Sequence, residues 1–258
     1  MPTELTPSPA TRFVALDVHR QYLMVGAVDS QQQVVLSPRR FGFAAFAEWA
    51  QVHFTHADAV VLEATSNAWL LYDQLQPLVA EVVVAHPQAV KLIAAARVKT
   101  DKRDTIKLAS RLSANLIPAV WVPPQAVREL RALVTHRSRL VQQRTQAANR
   151  LHSVLHRHNV DPPPGMPFAV HQREWWLTLD LPLAEKLRVQ QDLSLYQTLI
   201  QESDAELGRL STCDPWIKQV PFLVQLPGLG VLSALRILAA IGEITRFPSA
   251  KHLVGYAG

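Results

Sequence analysis

Cysteine is nearly absent from this chain: Cys213 stands alone among 258 residues. A single thiol excludes an internal disulfide and any cysteine-built zinc cluster, and it suits a reducing cytoplasm. The N-terminal MPTELTPSPATR lacks an apolar signal core. The most apolar stretch near the other end, VLSALRILAAIG, is too short to span a bilayer and carries Arg236. A cytoplasmic protein with no membrane partner is expected. Glycine-rich loops are missing as well. After the first strand-like run, VHRQYLMVGAVD holds only Gly26, which argues against a nucleotide-phosphate cradle. What the chain does have is a 48% hydrophobic content and a net charge of +5. The first supplies a core for two domains, and the second leans toward a nucleic-acid partner.

Residues 1–11 are rich in Pro, Thr and Ser and read as a disordered tail. From Arg12 the pattern is strand-like. FVALDVH, YLMVGAVD and VVLSPRRF form a three-strand meander, with a turn at Asp29-Ser30. Phe46 to Phe54 reads as helix, AVVLEA (59–64) as a buried strand, and Asn67 to Val79 as helix. EVVVAH (81–86) is a further strand, ended by Pro87. A helix through Lys91–Arg97 follows, and KTDKRD opens the next, to about Asn115; AVWV (119–122) reads as a last strand. Residues 12–123 are thus expected to form a mixed α/β domain.

Strand signals vanish from Pro124. Two helical runs, 125–158 and about 184–211, carry a seven-residue repeat: Val127, Val134, Val141, Ala148 and Leu155 in the first, with Leu193, Tyr196, Ile200, Leu207 and Leu210 in the second. The connection DPPPGMP (161–167) cannot be helical. Residues 124–214 therefore read as an antiparallel coiled-coil hairpin, although Arg137 and Arg144 occupy seam positions. Within 125–158 seven arginines face a single acid, Glu129, whereas 184–214 holds six acids and three bases. Uncompensated like charge weakens a helix, so the first run reads as a phosphate-contacting face, with Arg137, Arg144 and Arg150 its candidates. A solvated charged face is the plain alternative. His152 and His156 have the spacing of a zinc pair but lack the intervening Glu of a metalloprotease. In 215–258, LPGLG (226–230) joins two helical patterns. It resembles a helix-hairpin-helix, in which backbone N–H groups near Gly228 and Gly230 hold a DNA phosphate; an ordinary αα-turn is the alternative.

Four acids carry the chemistry. Asp17 and Glu63 each lie inside an apolar strand-like run, where a carboxylate is costly without a partner. Asp101 and Asp104 open a helix, where acids also serve as ordinary caps. A divalent cation, Mg²⁺ or Mn²⁺, is the partner that unites them, and two such ions clamp the oxygens of a phosphoryl transfer. A ribonuclease-H-like sheet places an acid on its first strand beside one at the end of its fourth, with further acids brought over by a late helix. Asp17, Glu63 and Asp101/Asp104 follow that order.

On ALDVH around Asp17, VVLEATS around Glu63, RVKTDKRDT around Asp101 and Asp104, and the distal LPGLGVLSALRILAAIGEITRFPSAKHLVGYAG, the chain resembles the DEDD class of insertion-sequence transposases. The resemblance covers nearly everything from Arg12 on. It implies a RuvC-like catalytic domain at 12–123, a coiled coil, and part of a C-terminal transposase domain at 215–258. Asp17, Glu63, Asp101 and Asp104 would be metal-binding catalytic acids. Lys99, Lys102 and Arg103, in the same motif, would contact nucleic acid. DNA would be the substrate, a structured guide RNA would select it, and a homo-oligomer would form through the coiled coil. The family also uses a serine nucleophile beyond the Tyr-Ala-Gly segment. Ser233 and Ser249 do not match its place, so a chain stopping at Gly258 is expected to bind nucleic acid, to nick at most, and to form no covalent adduct with DNA. The rival readings are a RuvC-like nuclease, a DNA invertase, or a shortened relative that binds nucleic acid without chemistry.

Overall fold

The computed structural model of the chain describes residues 10–87 and 101–258. It divides into two compact units that meet in sequence at Val122 and Pro123. In the first unit, apolar runs form strands β1 (Arg12–Val18) and β2 (Leu23–Asp29), the more polar VVLSPRRF forms β3 (Val34–Phe41), and apolar runs again form β4 (Asp58–Glu63) and β5 (Glu81–Ala85). The described strands lie in the order β3-β2-β1-β4-β5. β1 pairs antiparallel with β2 and parallel with β4, and β4 pairs parallel with β5. This mixed sheet is consistent with a ribonuclease-H-like domain. AVWV does not become a strand. Ala119 makes only an isolated antiparallel bridge to Ala85, since Pro118 and Pro123 crowd a short segment and cannot donate to a ladder.

Alternation gives the sheet two apolar faces. Val14, Leu16, Val25, Val60 and Leu62 point to a core closed by helices α1 (Phe43–His53) and α2 (Ala68–Leu75) through Phe46, Leu71 and Leu75. Ala15, Val28, Ala59 and Val61 point the other way, to helix α3 (Asp101–Ser113), which buries Leu108, Ala109 and Leu112 on them. Small residues let α3 come close. A Cβ on Gly26 would stand 3.1 Å from both Ile106 Cδ1 and Thr105 Cγ2. The sheet is also tied by a residue outside the sequence reading, Asp58. It is 1% exposed and accepts Arg12 Nε at 2.5 Å and Nη2 at 2.7 Å, joining the starts of β1 and β4. The expected helix through Lys91–Arg97 lies outside the described residues.

The second unit is built on α4 (Gln125–Arg157), a single helix of 33 residues. The predicted second run is interrupted: α6 (Leu183–Thr198) and α7 (Gln201–Leu210) are separate helices with a break at Leu199-Ile200. Between α4 and α6, DPPPGMP is non-helical as its prolines require, and a short helix absent from the sequence reading, α5 (Arg173–Thr178), follows it. Trp176 on α5 is 1% exposed and donates its indole N–H to the Pro167 carbonyl at 2.7 Å. It packs with Leu151, Leu155, Val189 and Leu193 where α4 and α6 meet. Helices α8 (Gln219–Val224), α9 (Val231–Ile241) and α10 (Ala250–Ala257) complete the unit. Gly228 has φ +85°, the conformation that the LPGLG turn needs and glycine supplies, and Gly230 is the N-cap of α9.

The contact at Gly26 sets the height of α3 above the sheet. Gly26→Val should overpack it and cost about 1–3 kcal/mol, read by chemical denaturation; an unchanged midpoint would show that α3 tolerates displacement.

Candidate active site

Asp17 is the penultimate residue of β1 and Glu63 the last of β4. The parallel register runs to Leu16 opposite Leu62. One step further, alternation puts Asp17 and Glu63 on the face opposite those leucines, which is the α3 face. Both stand at carboxyl ends of parallel strands, where open α/β sheets form their sites. The packing of α3 then brings its first turn, with Asp101 and Asp104, over the same end.

Asp17, Asp101 and a residue that the sequence reading missed, His19, each offer a ligand atom, all within 4.8 Å of one another. His19 Nε2 lies 3.2 Å from Asp17 Oδ2 and 3.6 Å from Asp101 Oδ2. The signal for His19 was present in ALDVH: two residues along a strand is the same face. Tyr22 also joins the site. It donates its hydroxyl to Asp101 Oδ2 at 3.0 Å and stacks on His19 with ring centroids 4.5 Å apart. The turn between β1 and β2, closed by the His19 N–H donating to the Tyr22 carbonyl at 2.9 Å, brings the two rings together. Sequence spacing alone does not reveal that contact.

Burial pushes the Asp17 carboxyl above its ordinary range. His19 pulls it back by charge and by its hydrogen bond, while Asp101 and Asp104 push it up again. The Tyr22 phenol is also raised, first by donating to the Asp101 carboxylate. Asp104 therefore stands near enough to act on Asp17 electrostatically, although the three-residue cluster does not include it. Glu63 is half-buried at the end of β4, also outside that cluster. Lys99 lies outside the described residues; Lys102 and Arg103 are exposed on the first turn of α3. Two carboxylates and an imidazole are a donor set that fits a divalent cation.

The arginines of α4 are placed differently from the expectation. Arg137 pairs with Asp204 on α7, Arg150 donates to Asp192 on α6 at 2.6 Å, and Arg157 donates to Glu185 at 3.0 Å. Arg144 lies over the Tyr196 ring at 4.2 Å. Partner numbers fall as those on α4 rise, so the helices run antiparallel. Arg131 donates to the carbonyls of Ala239 and Ala240 at the end of α9. Part of the positive charge that suggested a phosphate track, on Arg137, Arg150 and Arg157, is thus paired with acids of the facing helices. Charge imbalance therefore gives no ground for a phosphate contact at Arg137 and Arg150, which are paired across the hairpin, while Arg144 rests on an aromatic ring. At the LPGLG turn, α9 starts at Gly230 without a side-chain cap, which leaves its first N–H groups open to another acceptor.

A family model described as a transposase, of the DEDD type named for IS110, matches residues 14–160, and one described as the transposase IS116/IS110/IS902 family matches residues 221–258. The chain belongs to this transposase family. It is 24% identical over 251 residues to the pilin gene-inverting protein of Moraxella bovis, covering 90% of this chain and 66% of that protein. It is 24% identical over 262 residues to the transposase for insertion sequence element IS1111A of Coxiella burnetii, covering 96% and 68%. A third relative, y4qE of Sinorhizobium fredii, is 26% identical over 214 residues, or 82% of this chain and 50% of the relative. The chain thus spans between half and about two thirds of the length of these relatives. Among the described residues no helix is long and apolar enough to cross a membrane.

The raised carboxyl of Asp17 makes a prediction for the metal-free fold. A folded-state pKa above the unfolded value favours the protonated form. That contribution is full below the ordinary carboxylate range and is lost as pH rises through the folded value. At neutral pH the ionised Asp17 is therefore a cost. In chelator, Asp17→Asn should melt above the wild type at neutral pH, with the gap closing toward acid. A variant that melts lower at neutral pH would contradict this.

Proposed function

We propose that this transposase-family chain carries the catalytic domain of a DNA recombinase that works by metal-dependent phosphoryl transfer. The observation that supports it best is the meeting of Asp17, His19 and Asp101 within 4.8 Å at the strand ends. Asp17, Asp101 and His19 would hold one Mg²⁺ or Mn²⁺ ion, and Glu63 and Asp104 would complete the acid set on the same face. Such an ion, when bound, neutralises charge on a phosphodiester and lowers the pKa of an attacking oxygen. The side chains do the rest. The strand ends and α3 keep the carboxylates convergent before the cation arrives, and Tyr22, donating to Asp101 Oδ2, restrains the orientation of that carboxylate. His19 lies between the two aspartates and offsets part of their repulsion.

DNA is the substrate that this reading assigns, and a structured RNA is the partner that the family resemblance adds for selecting it. The α4–α6–α7 hairpin would be the family's coiled coil and the route to a homo-oligomer, with residues 12–123 as the catalytic domain. Gly228 and Gly230 would offer backbone N–H groups to a DNA phosphate, as in a helix-hairpin-helix. A second reading, site-specific inversion rather than transposition, draws on the likeness to the pilin gene-inverting protein. Both share one site chemistry and differ in the DNA ends that are joined.

Binding to the folded state raises stability by mass action, about 2.7 kcal/mol at a hundredfold excess over Kd. Millimolar Mg²⁺ or Mn²⁺ should therefore raise the melting temperature of the wild type and leave Asp17→Asn unmoved. Asp101→Asn should lower metal-dependent nicking of element-end DNA by at least about tenfold, the scale at which even outer-shell partners of a metal act. A melting curve indifferent to both ions in wild type and mutant would remove the metal from the account.

A further inference from the structure

The acid cluster creates a problem for its own substrate. Carboxylates repel a phosphodiester, and one cation does not by itself orient a strand whose charge continues on either side. The register of the sheet answers this. Arg40 on β3 is paired with Met24 on β2, and Met24 is paired with Asp17 on β1. Registered neighbours share a face, so Arg40 stands in the same cross-strand row as Asp17, at the exposed edge of the sheet.

Its guanidinium carbon lies 3.7 Å from the centroid of the Tyr22 ring, inside cation–π range. Tyr22 in turn stacks on His19 and donates to Asp101. A continuous contact path thus leads from the edge strand to the carboxylates. Among the described residues no carboxylate pairs with Arg40, whereas Arg12, Arg137, Arg150, Arg157, Arg188 and Arg209 all have one. A guanidinium resting on an aromatic ring keeps its planar fork of donors free and already oriented, which suits two oxygens of one phosphate.

We propose that Arg40, seated on Tyr22, is the clamp that grips the backbone of the DNA strand lying at the Asp17–Asp101 carboxylates. The inference rests on the reading of the chain as a DNA recombinase. It adds a substrate contact on β3, outside the acid motifs, and makes Tyr22 a positioning residue for that contact.

The test is fluorescence anisotropy of a labelled DNA duplex with the full 258-residue chain in Mg²⁺, repeated across a salt series. Arg40→Gln should weaken binding about tenfold and lower the slope of log affinity against log salt by about 1, while the Mg²⁺-induced rise in melting temperature persists. Arg40→Lys, which keeps the charge without the fork, should fall between. Tyr22→Phe, which keeps the ring but loses the hydrogen bond to Asp101, should bind more tightly than Tyr22→Ala, and Tyr22→Ala should bind no better than Arg40→Gln. Wild-type affinity and slope in Arg40→Gln would overturn the clamp and leave the recombinase reading standing. Tyr22→Ala equal to Tyr22→Phe would overturn the seating on the ring. A wild type whose DNA binding is insensitive to salt would overturn the DNA reading, and the clamp with it.

Discussion

Helix α3 rests on strand β2 at Gly26, where a single added carbon would meet Ile106 and Thr105 at 3.1 Å. That approach decides where the carboxylates go. It lays Asp101 beside Asp17 and His19, where Tyr22 also donates to it. The energy that holds like charges together comes from the apolar layer below, where Leu108, Ala109 and Leu112 bury against Ala15, Val28 and Val61. Repulsion at the strand ends is thus maintained by burial beneath them. Burial is the first cause of the raised Asp17 carboxyl, with Asp101 and Asp104 adding to it, and a divalent cation would favour its ionised form.

Apolar runs made the five strands and the carboxylates Asp17 and Glu63 legible in the sequence. Asp17 and Glu63 stood out because a carboxylate in VALDV or VVLEA has no cheap place to go. What stayed hidden was contact across the turn. Tyr22 meets Asp101 across 79 positions of sequence, and Arg40 reaches Tyr22 from a separate strand. No periodicity encodes such meetings, because they depend on register and on rotamers. Asp58 was overlooked for a related reason. It reads as an ordinary loop acid at a strand start, and only the fold shows that it is buried against Arg12.

The arginine-rich helix teaches the complementary lesson. Seven arginines against one acid is an imbalance within one helix, but charge is balanced in space, not along the chain. Asp204, Asp192 and Glu185 lie on helices that fold back antiparallel, and they meet Arg137, Arg150 and Arg157. Polar pairs at such a seam select register at some cost in stability. The seven-residue repeat was visible in the sequence. The break at Leu199-Ile200 was not, because Leu and Ile continue the apolar pattern straight through it.

The central claim is that Asp17, His19 and Asp101 converge to hold a divalent cation at the end of β1. Anomalous diffraction from crystals grown with Mn²⁺ tests it most directly. The account predicts an anomalous peak within about 2.0–2.3 Å of an Asp17 and an Asp101 carboxylate oxygen, lost in Asp17→Asn crystals. A peak elsewhere on the chain, or none at millimolar Mn²⁺, would contradict it.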